Sequence, residues 1–214
     1  VSEIRKMVKF VEVHNTGDEY FVGALKIYRD AFPPNERHSD SVIRERVTGG
    51  RSRLWVGLQK GEVVFMALLW PLLGTDFIVL DYMSTNRSQR REGIATDFMQ
   101  LMRTELRDRK EFFILEVEDE RYGQNVAERK ERKTFYRKNG AQELKNVRYV
   151  LPPLEGDEPT QMNLMIFPAF GRDKIESTKV KSLILQMYRE LYGRDASDPL
   201  LNSLSSLTGP IELF

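Results

Sequence analysis

One stretch limits the folds open to this chain more than any other: residues 76–110 run from an apolar strand candidate through a basic loop into an amphipathic helix. The strand is Phe77, Ile78, Val79, Leu80, Asp81, Tyr82 and Met83, almost continuously apolar and rich in branched and aromatic residues, as expected where both faces of a sheet are covered. Asp81 is its one charge. Residues 84–91 are polar and basic, after which Ala95, Phe98, Leu101, Met102 and Leu106 recur at helical spacing. Arg107, Arg109 and Lys110 fall in the last turn, where cations complement the helix dipole. The first N–H groups of a helix have no intrahelical partner and the dipole there is positive, so a loop wrapped around a helix start binds phosphate well. Gly93 removes the Cβ that would keep a ligand off the backbone, Ala95 keeps the next contact small, and Arg87, Arg90 and Arg91 add positive charge. A surface turn with a capping glycine and a solvated basic run is the plainer reading of the loop. The strand before it and the helix after it favour an anion cradle.

With Arg90, Gly93 and Ala95 in that context, the segment resembles the Gln/Arg-x-x-Gly-x-Gly/Ala signature of the GCN5-related N-acetyltransferases, the GNAT family. The resemblance implies an acyl-CoA site. Backbone amides of Arg90, Arg91, Glu92, Gly93, Ile94 and Ala95 would hold the CoA pyrophosphate, and the strand end at Met83, Ser84 and Thr85 would pair with the pantetheine. Glu92 departs from the pattern, since many members carry a basic residue or glycine there.

Composition closes off other chemistries. Lys and Arg total 33 against 32 Asp and Glu, so no whole-protein field attracts nucleic acid or an anionic membrane. There is no cysteine, which removes disulfides, thiolate zinc sites and cysteine nucleophiles. The two histidines, His14 and His38, read as structural or exposed, leaving acid–base work to carboxylates and tyrosine. No apolar run reaches the roughly 20 residues that span a bilayer, and the amino end lacks a basic region followed by an apolar one. A cytoplasmic protein without membrane or nucleic-acid partners and without metal is expected.

Along the chain, Met7 to Val13 is a first strand candidate and residues 18–32 a helix stopped by Pro33 and Pro34. Ser39 and Asp40 can cap a second helix ended by Gly49 and Gly50. Two strands over 54–59 and 62–70 form a hairpin around Lys60 and Gly61. After the cradle helix, 112–118 reads as a buried strand and 125–138 as a charged helix with i,i+4 pairs on a solvated face. The order suggests parallel crossovers. Strand candidates at 147–151 and 162–167 flank an acidic loop in which Glu155, Asp157 and Glu158 could attract a cationic amine. The fold class is α/β, a GNAT-type mixed sheet of about six to seven strands with flanking helices. Residues 1–170 form the domain and 171–214 a helical extension, with a helix over 174–192 and a short one from Asp198 and Pro199. The extension either packs on its own domain or makes a homodimer contact.

Acetyl transfer to an amine needs a base for the ammonium proton, a polarised thioester and an acid for the leaving thiolate. Glu116 in Leu115-Glu116-Val117 and Asp81 on the preceding strand are competing bases, with Glu118 third. For Glu116 the alternative is a sheet carboxylate paired to an arginine. Tyr136, before Arg137-Lys138-Asn139-Gly140, resembles the family's tyrosine that faces the CoA sulphur and is the candidate acid; a satisfied core tyrosine is its alternative. Asn125 resembles the asparagine that contacts pantetheine, although it stands about one helical turn further from the tyrosine than is usual. The expectation is an N-acetyltransferase moving an acetyl group from acetyl-CoA, its cosubstrate, to a primary amine of a small-molecule or peptide acceptor by direct attack. The alternative is a catalytically inactive CoA-binding regulatory module.

Overall fold

The computed structural model describes residues 7–154 and 158–214, so Glu155 and Asp157 of the acidic loop lie outside the described residues. The chain forms two compact units, one of Val1–Pro71 and Leu80–Thr104, the other of Leu72–Val79 and Glu105–Phe214.

In the first unit β1 (Lys9–Val13) is followed by two helices. α1 (Glu19–Ala31) starts where Asp18 Oδ1 accepts the Phe21 N–H at 3.0 Å, and it buries Phe21, Ala24, Leu25 and Tyr28, one face of a 3.6-residue period. α2 (Asp40–Thr48) is capped by Ser39 and stops at Gly49. β2 (Arg53–Gln59) and β3 (Glu62–Pro71) make the expected hairpin. Both turn residues are left-handed, Lys60 at φ 53° and Gly61 at φ 85°, the two-residue turn whose twist matches that of the strands. β1 pairs antiparallel with β2. The next strand, β4 (Phe77–Thr85), enters this unit at Leu80 and leads through the loop to α3 (Ile94–Arg109). One sheet face packs Leu54, Val56, Met66, Leu68 and Tyr82 against α1 and α2. The other receives Phe98 of α3, whose ring centroid lies 4.8 Å from Phe65 and 5.5 Å from Phe10. Burying a side chain of this kind stabilises by about 1.5–3 kcal/mol, so α3 and the loop before it are anchored from the core.

In the second unit the first residues of β4 pair in parallel with β5 (Phe112–Glu118), from Phe77↔Phe112 to Val79↔Ile114. α4 (Val126–Lys138) then leads to β6 (Gln142–Glu143), β7 (Tyr149–Leu151) and β8 (Thr160–Phe167). Here the expected run of parallel crossovers gives way. β6 has two residues and cannot cover β5, whereas β8 offers Leu164, Met165, Ile166 and Phe167 and pairs antiparallel with β5 from Phe113↔Phe167 to Glu118↔Met162. The strand path is β1-β2-β3-β4-β5-β8-β6, with β7 also on β8. It is a mixed α/β sheet in which six strands are of substantial length.

The α4 charges also differ from expectation. Rather than pairing along the helix, Arg129 and Arg132 reach Glu118 at 3.0 and 2.7 Å, and buried Lys133 reaches Glu143 at 2.9 Å. Carboxylates on strands β5 and β6 are the nearer anions, so the helix is tied to its sheet. In the extension, Lys174–Glu176 is a strand, β9, with Ile175 opposite Ile211 of β10 (Pro210–Glu212), and the helix α5 (Ser177–Tyr192) begins only after it. Ile175 and Ile211 are both buried, which accounts for the extended start. The apolar stripe read from the sequence, Val180, Leu183, Ile184, Met187 and Leu191, is the buried face of α5. Gln186 Nε2 donates to the Leu73 carbonyl at 2.6 Å, Lys179 pairs with Asp76 at 3.1 Å, and the Glu143 N–H reaches the Phe214 carbonyl at 2.9 Å. The extension is thereby bonded into its own unit at both ends.

Candidate active site

In the first unit the backbone of residues 81–97 is held at several points. The Asn86 N–H donates to the Val64 carbonyl at 2.8 Å, anchoring the end of β4 to β3, and Asn86 Oδ1 accepts the Ser88 N–H at 3.3 Å, closing a short 3₁₀ turn. Arg90 Nε bends back to the Thr85 carbonyl at 3.4 Å. Arg91 then takes φ 68° and Gly93 φ 81°, left-handed backbone on either side of Glu92. A left-handed arginine is uncommon and is kept only where the surroundings enforce it. Turns of this kind point successive N–H groups into a concavity that suits an anion. The helix follows at once, its first backbone bond running from Asp97 N–H to Gly93 carbonyl at 3.0 Å, so the preceding N–H groups at the positive end of α3 extend the cradle. Ile94 is buried and fixes the helix start, while Arg90, Arg91 and Glu92 are exposed. Beside the loop lies a cavity of about 320 Å³ lined by Ile27, Asp30 and Ala31 of α1 with Thr85, Asn86, Arg87 and Arg90.

Asp81 stands four residues before Thr85 on the same strand, its side chain 12% exposed. Burial pushes its carboxyl up to about 6, against the opposing pull of Arg46, whose Nη1 is 3.4 Å from Asp81 Oδ2. A group of that proton affinity is charged at neutral pH yet basic enough to accept a proton.

In the second unit Glu116 is held by phenols. It accepts a short hydrogen bond from Tyr149 and bonds from the Tyr192 hydroxyl at 2.9 and 2.8 Å to its two oxygens. Burial, and then the Glu116 charge, push the Tyr149 phenol well above its ordinary value, so it stays a donor. Tyr136 is half-buried on α4, and burial pushes its phenol up to about 12. Glu118 is engaged by Arg129 and Arg132, and Asp119 by Arg121. Asn125 is exposed, at φ 60°, and its side chain makes no capping bond. Among the described residues no three His, Asp or Glu side chains form a group able to hold a metal ion, and no helix is long and apolar enough to cross a membrane.

No protein-family model and no curated protein matches the chain. Solved structures do. A GNAT-family protein from Bacteroides thetaiotaomicron superposes with a TM-score of 0.72 over 87% of this chain and 99% of its own, at 20% identity. The ribosomal-protein-S18-alanine N-acetyltransferase of Escherichia coli gives 0.54 over 75% and 92% at 20% identity. An aminoglycoside 6'-N-acetyltransferase complexed with coenzyme A gives 0.56 over 73% and 95% at 16% identity. This is the GNAT fold.

Within that GNAT fold, the first unit brings together Asp81, Met83, Ser84, Thr85 and the cradle residues Arg90, Arg91, Glu92, Gly93, Ile94 and Ala95 along one strand, loop and helix start. The second unit places Glu116 with Tyr149 and Tyr192. Four residues that touch these carboxylates or their partners carry no local signal in the sequence: Arg46, His38, Tyr149 and Tyr192. Arg46 sits in a helix rich in charge, and nothing local marks it. The tyrosines lie 33 and 76 residues from Glu116 in sequence, beyond the reach of any spacing argument.

Proposed function

We propose that this chain is an acetyl-CoA-dependent N-acetyltransferase that acts on a primary amine by direct transfer. The observation that carries the proposal is the left-handed pair Arg91 and Gly93 at the mouth of α3, following a buried strand in a GNAT fold. A cradle of this shape would fit a pyrophosphate: N–H groups at the start of α3 would face it, exposed arginines flank it, and a side chain at Gly93 would be strained at φ 81° as well as obstructive. The N–H groups of Arg91, Gly93, Ile94 and Ala95 would hold the diphosphate; the Arg90 N–H is donated to the Arg87 carbonyl at 3.5 Å, which leaves Arg90 only its side chain for the ligand, and the backbone of Met83, Ser84 and Thr85 would hold the pantetheine amides. Glu92 is exposed, which lets its carboxylate turn to solvent.

Acetyl-CoA supplies an activated acyl thioester when bound. Of the two candidate bases, Asp81 is the one whose environment suits the work. Its proton affinity lies near the operating range, whereas both oxygens of Glu116 already accept hydrogen bonds from the hydroxyls of Tyr149 and Tyr192. Asp81 would first take the ammonium proton and so free the nitrogen lone pair; the amine then forms the C–N bond and loses its second proton as the C–S bond breaks and the departing thiolate takes a proton from Tyr136. Tyr136 keeps its proton at neutral pH, as an acid for the departing thiolate must. Direct attack accords with a chain that has no cysteine to carry an acyl intermediate.

Thermal-shift titration with acetyl-CoA, free CoA and ATP in parallel tests the reading. At about 100 times its dissociation constant a ligand adds about 2.7 kcal/mol of stability, and both CoA species, not ATP, are expected to give it. Thiol release from acetyl-CoA across a panel of primary amines and lysine peptides tests transfer. Binding without release with any of them would leave a CoA-binding module, and no shift with CoA would make the loop a structural turn.

A further inference from the structure

The cluster around Asp81 extends beyond the ion pair. Arg46 directs one guanidinium nitrogen, Nη1, to Asp81 Oδ2 at 3.4 Å and the other, Nη2, to His38 Nε2 at 3.0 Å. Its guanidinium lies 4.8 Å from the centre of the Trp70 ring, with Arg51 4.5 Å from the same ring. Arg46 is thus fixed on three sides, by a carboxylate, an imidazole and an indole. The histidine is fixed in turn, since the Tyr28 hydroxyl donates to the His38 carbonyl at 3.2 Å and the Tyr82 hydroxyl to the Glu36 carbonyl at 3.3 Å. These bonds hold the short connection between α1 and α2 against the core.

We infer that Arg46 is a positioning residue that keeps the Asp81 carboxylate charged and oriented as the base, and that His38, as a neutral acceptor, aims Arg46. The inference rests on the reading of Asp81 as base. An arginine that donates to Nε2 requires that nitrogen to be unprotonated. Burial first, and Arg46 second, push His38 down to about 4, so the acceptor persists through the physiological range. Tyr82 beside it on β4 and Tyr28 on α1 also feel the carboxylate, and Arg51 lies over the same Trp70 ring as Arg46. Burial, then the Asp81 charge, push Tyr82 up beyond its ordinary range, and Tyr28 is raised to about 12, so neither competes for the proton. Arg37 in the connecting loop lies over the Tyr28 ring, 6.0 Å from its centre. Arg46 is therefore the cation that opposes desolvation at Asp81. Without it, the carboxyl would hold its proton at neutral pH and could not act as a base.

The test is a carboxyl ¹³C NMR titration of Asp81 in protein labelled at aspartate, which needs no acceptor. In the native chain the midpoint is expected near 6. Arg46→Met should raise it by at least about one pH unit, a tenfold gain in proton affinity. Arg46→Lys should restore most of the shift, and His38→Leu should raise the midpoint by less than Arg46→Met does. His38→Gln, which keeps an acceptor, should stay near the native value. If the Met variant does not fold, as judged by loss of its cooperative melt, Arg46→Gln replaces it with the same expected rise. A midpoint unmoved in the folded, charge-removed variant overturns the inference. Thiol release by Asp81→Asn separates the two ideas: undiminished release overturns the base assignment and this inference with it, whereas lost release with an unmoved Arg46→Met midpoint overturns this inference alone.

Discussion

Asp81 and Glu116 look alike in sequence, each a carboxylate flanked by apolar residues on an internal strand, yet their surroundings differ. Asp81 is desolvated against one guanidinium at 3.4 Å, and its carboxyl is pushed up to about 6. Glu116 takes hydroxyl donors on both oxygens. The number and kind of donors differ at the two positions, one guanidinium beside Asp81 and two phenols on Glu116. The same contrast runs through the regions around them. Around Asp81 the chain carries left-handed backbone at Arg91 and Gly93 and exposed arginines, whereas around Glu116 the charges are paired and the extension helix is bonded in place.

A pair of isosteric substitutions would break this contrast most directly. Asp81→Asn should lower thiol release by about 10²- to 10⁴-fold, the usual loss on removing a general base. It should leave the CoA-induced thermal shift in place. Glu116→Gln should lower release far less while lowering stability by about 1.5–3 kcal/mol, the range for hydrogen bonds to a charged group. If the two kinetic effects are reversed, Glu116 is the base.

The pH dependence of stability sharpens it further. The folded carboxyl of Asp81 binds its proton more tightly than the unfolded one, from 3.8 to about 6. Its stabilising contribution is therefore fully present below the unfolded value and is lost as pH rises through about 6. Two pKa units correspond to about 3 kcal/mol. Denaturant unfolding at intervals from pH 4 to pH 7 should show that decline in the native chain and a flatter profile in Asp81→Asn. Equal slopes would mean the carboxyl is not desolvated.

Gly93→Glu addresses the cradle. A Cβ at φ 81° strains the turn, and the added carboxylate repels a pyrophosphate. The stabilisation of about 2.7 kcal/mol expected at saturating CoA should disappear, while the melting transition without ligand persists because the Phe98 contacts that hold α3 are untouched. A retained CoA shift would move the site elsewhere.

How much of this was legible beforehand follows the range of each interaction. The capped helices, the Lys60-Gly61 hairpin and the strand, loop and helix around Gly93 are local, set by residues within a turn or two of each other, and they appear where the pattern placed them. The insertion of β8 between β5 and β6 depends on pairing across some fifty residues, from Glu116↔Leu164 outward, which no local period encodes. The partners of the two carboxylates were hidden for the same reason. Arg46 approaches Asp81 from 35 residues away and Tyr192 approaches Glu116 from 76, so a reading of type and neighbourhood left them as equals.

The smallest expected effect isolates the anchor side of the comparison. Tyr192 sits at the last residue of α5, and its hydroxyl reaches Glu116 across the second unit at 2.9 and 2.8 Å. Tyr192→Phe keeps the ring, and with it the contact to Tyr188 at 6.0 Å between centroids, and removes only the donor. One charge-assisted bond should be lost, about 1.5 kcal/mol, with Tyr149 still holding the carboxylate. Chemical denaturation of the single variants, and of Tyr192→Phe combined with Glu116→Gln, measures it. The double variant should cost less than the sum of the singles, because the hydroxyl and the carboxylate are partners. Strict additivity would mean that the Tyr192 hydroxyl and the Glu116 carboxylate are not coupled and that the extension helix does not depend on their bond.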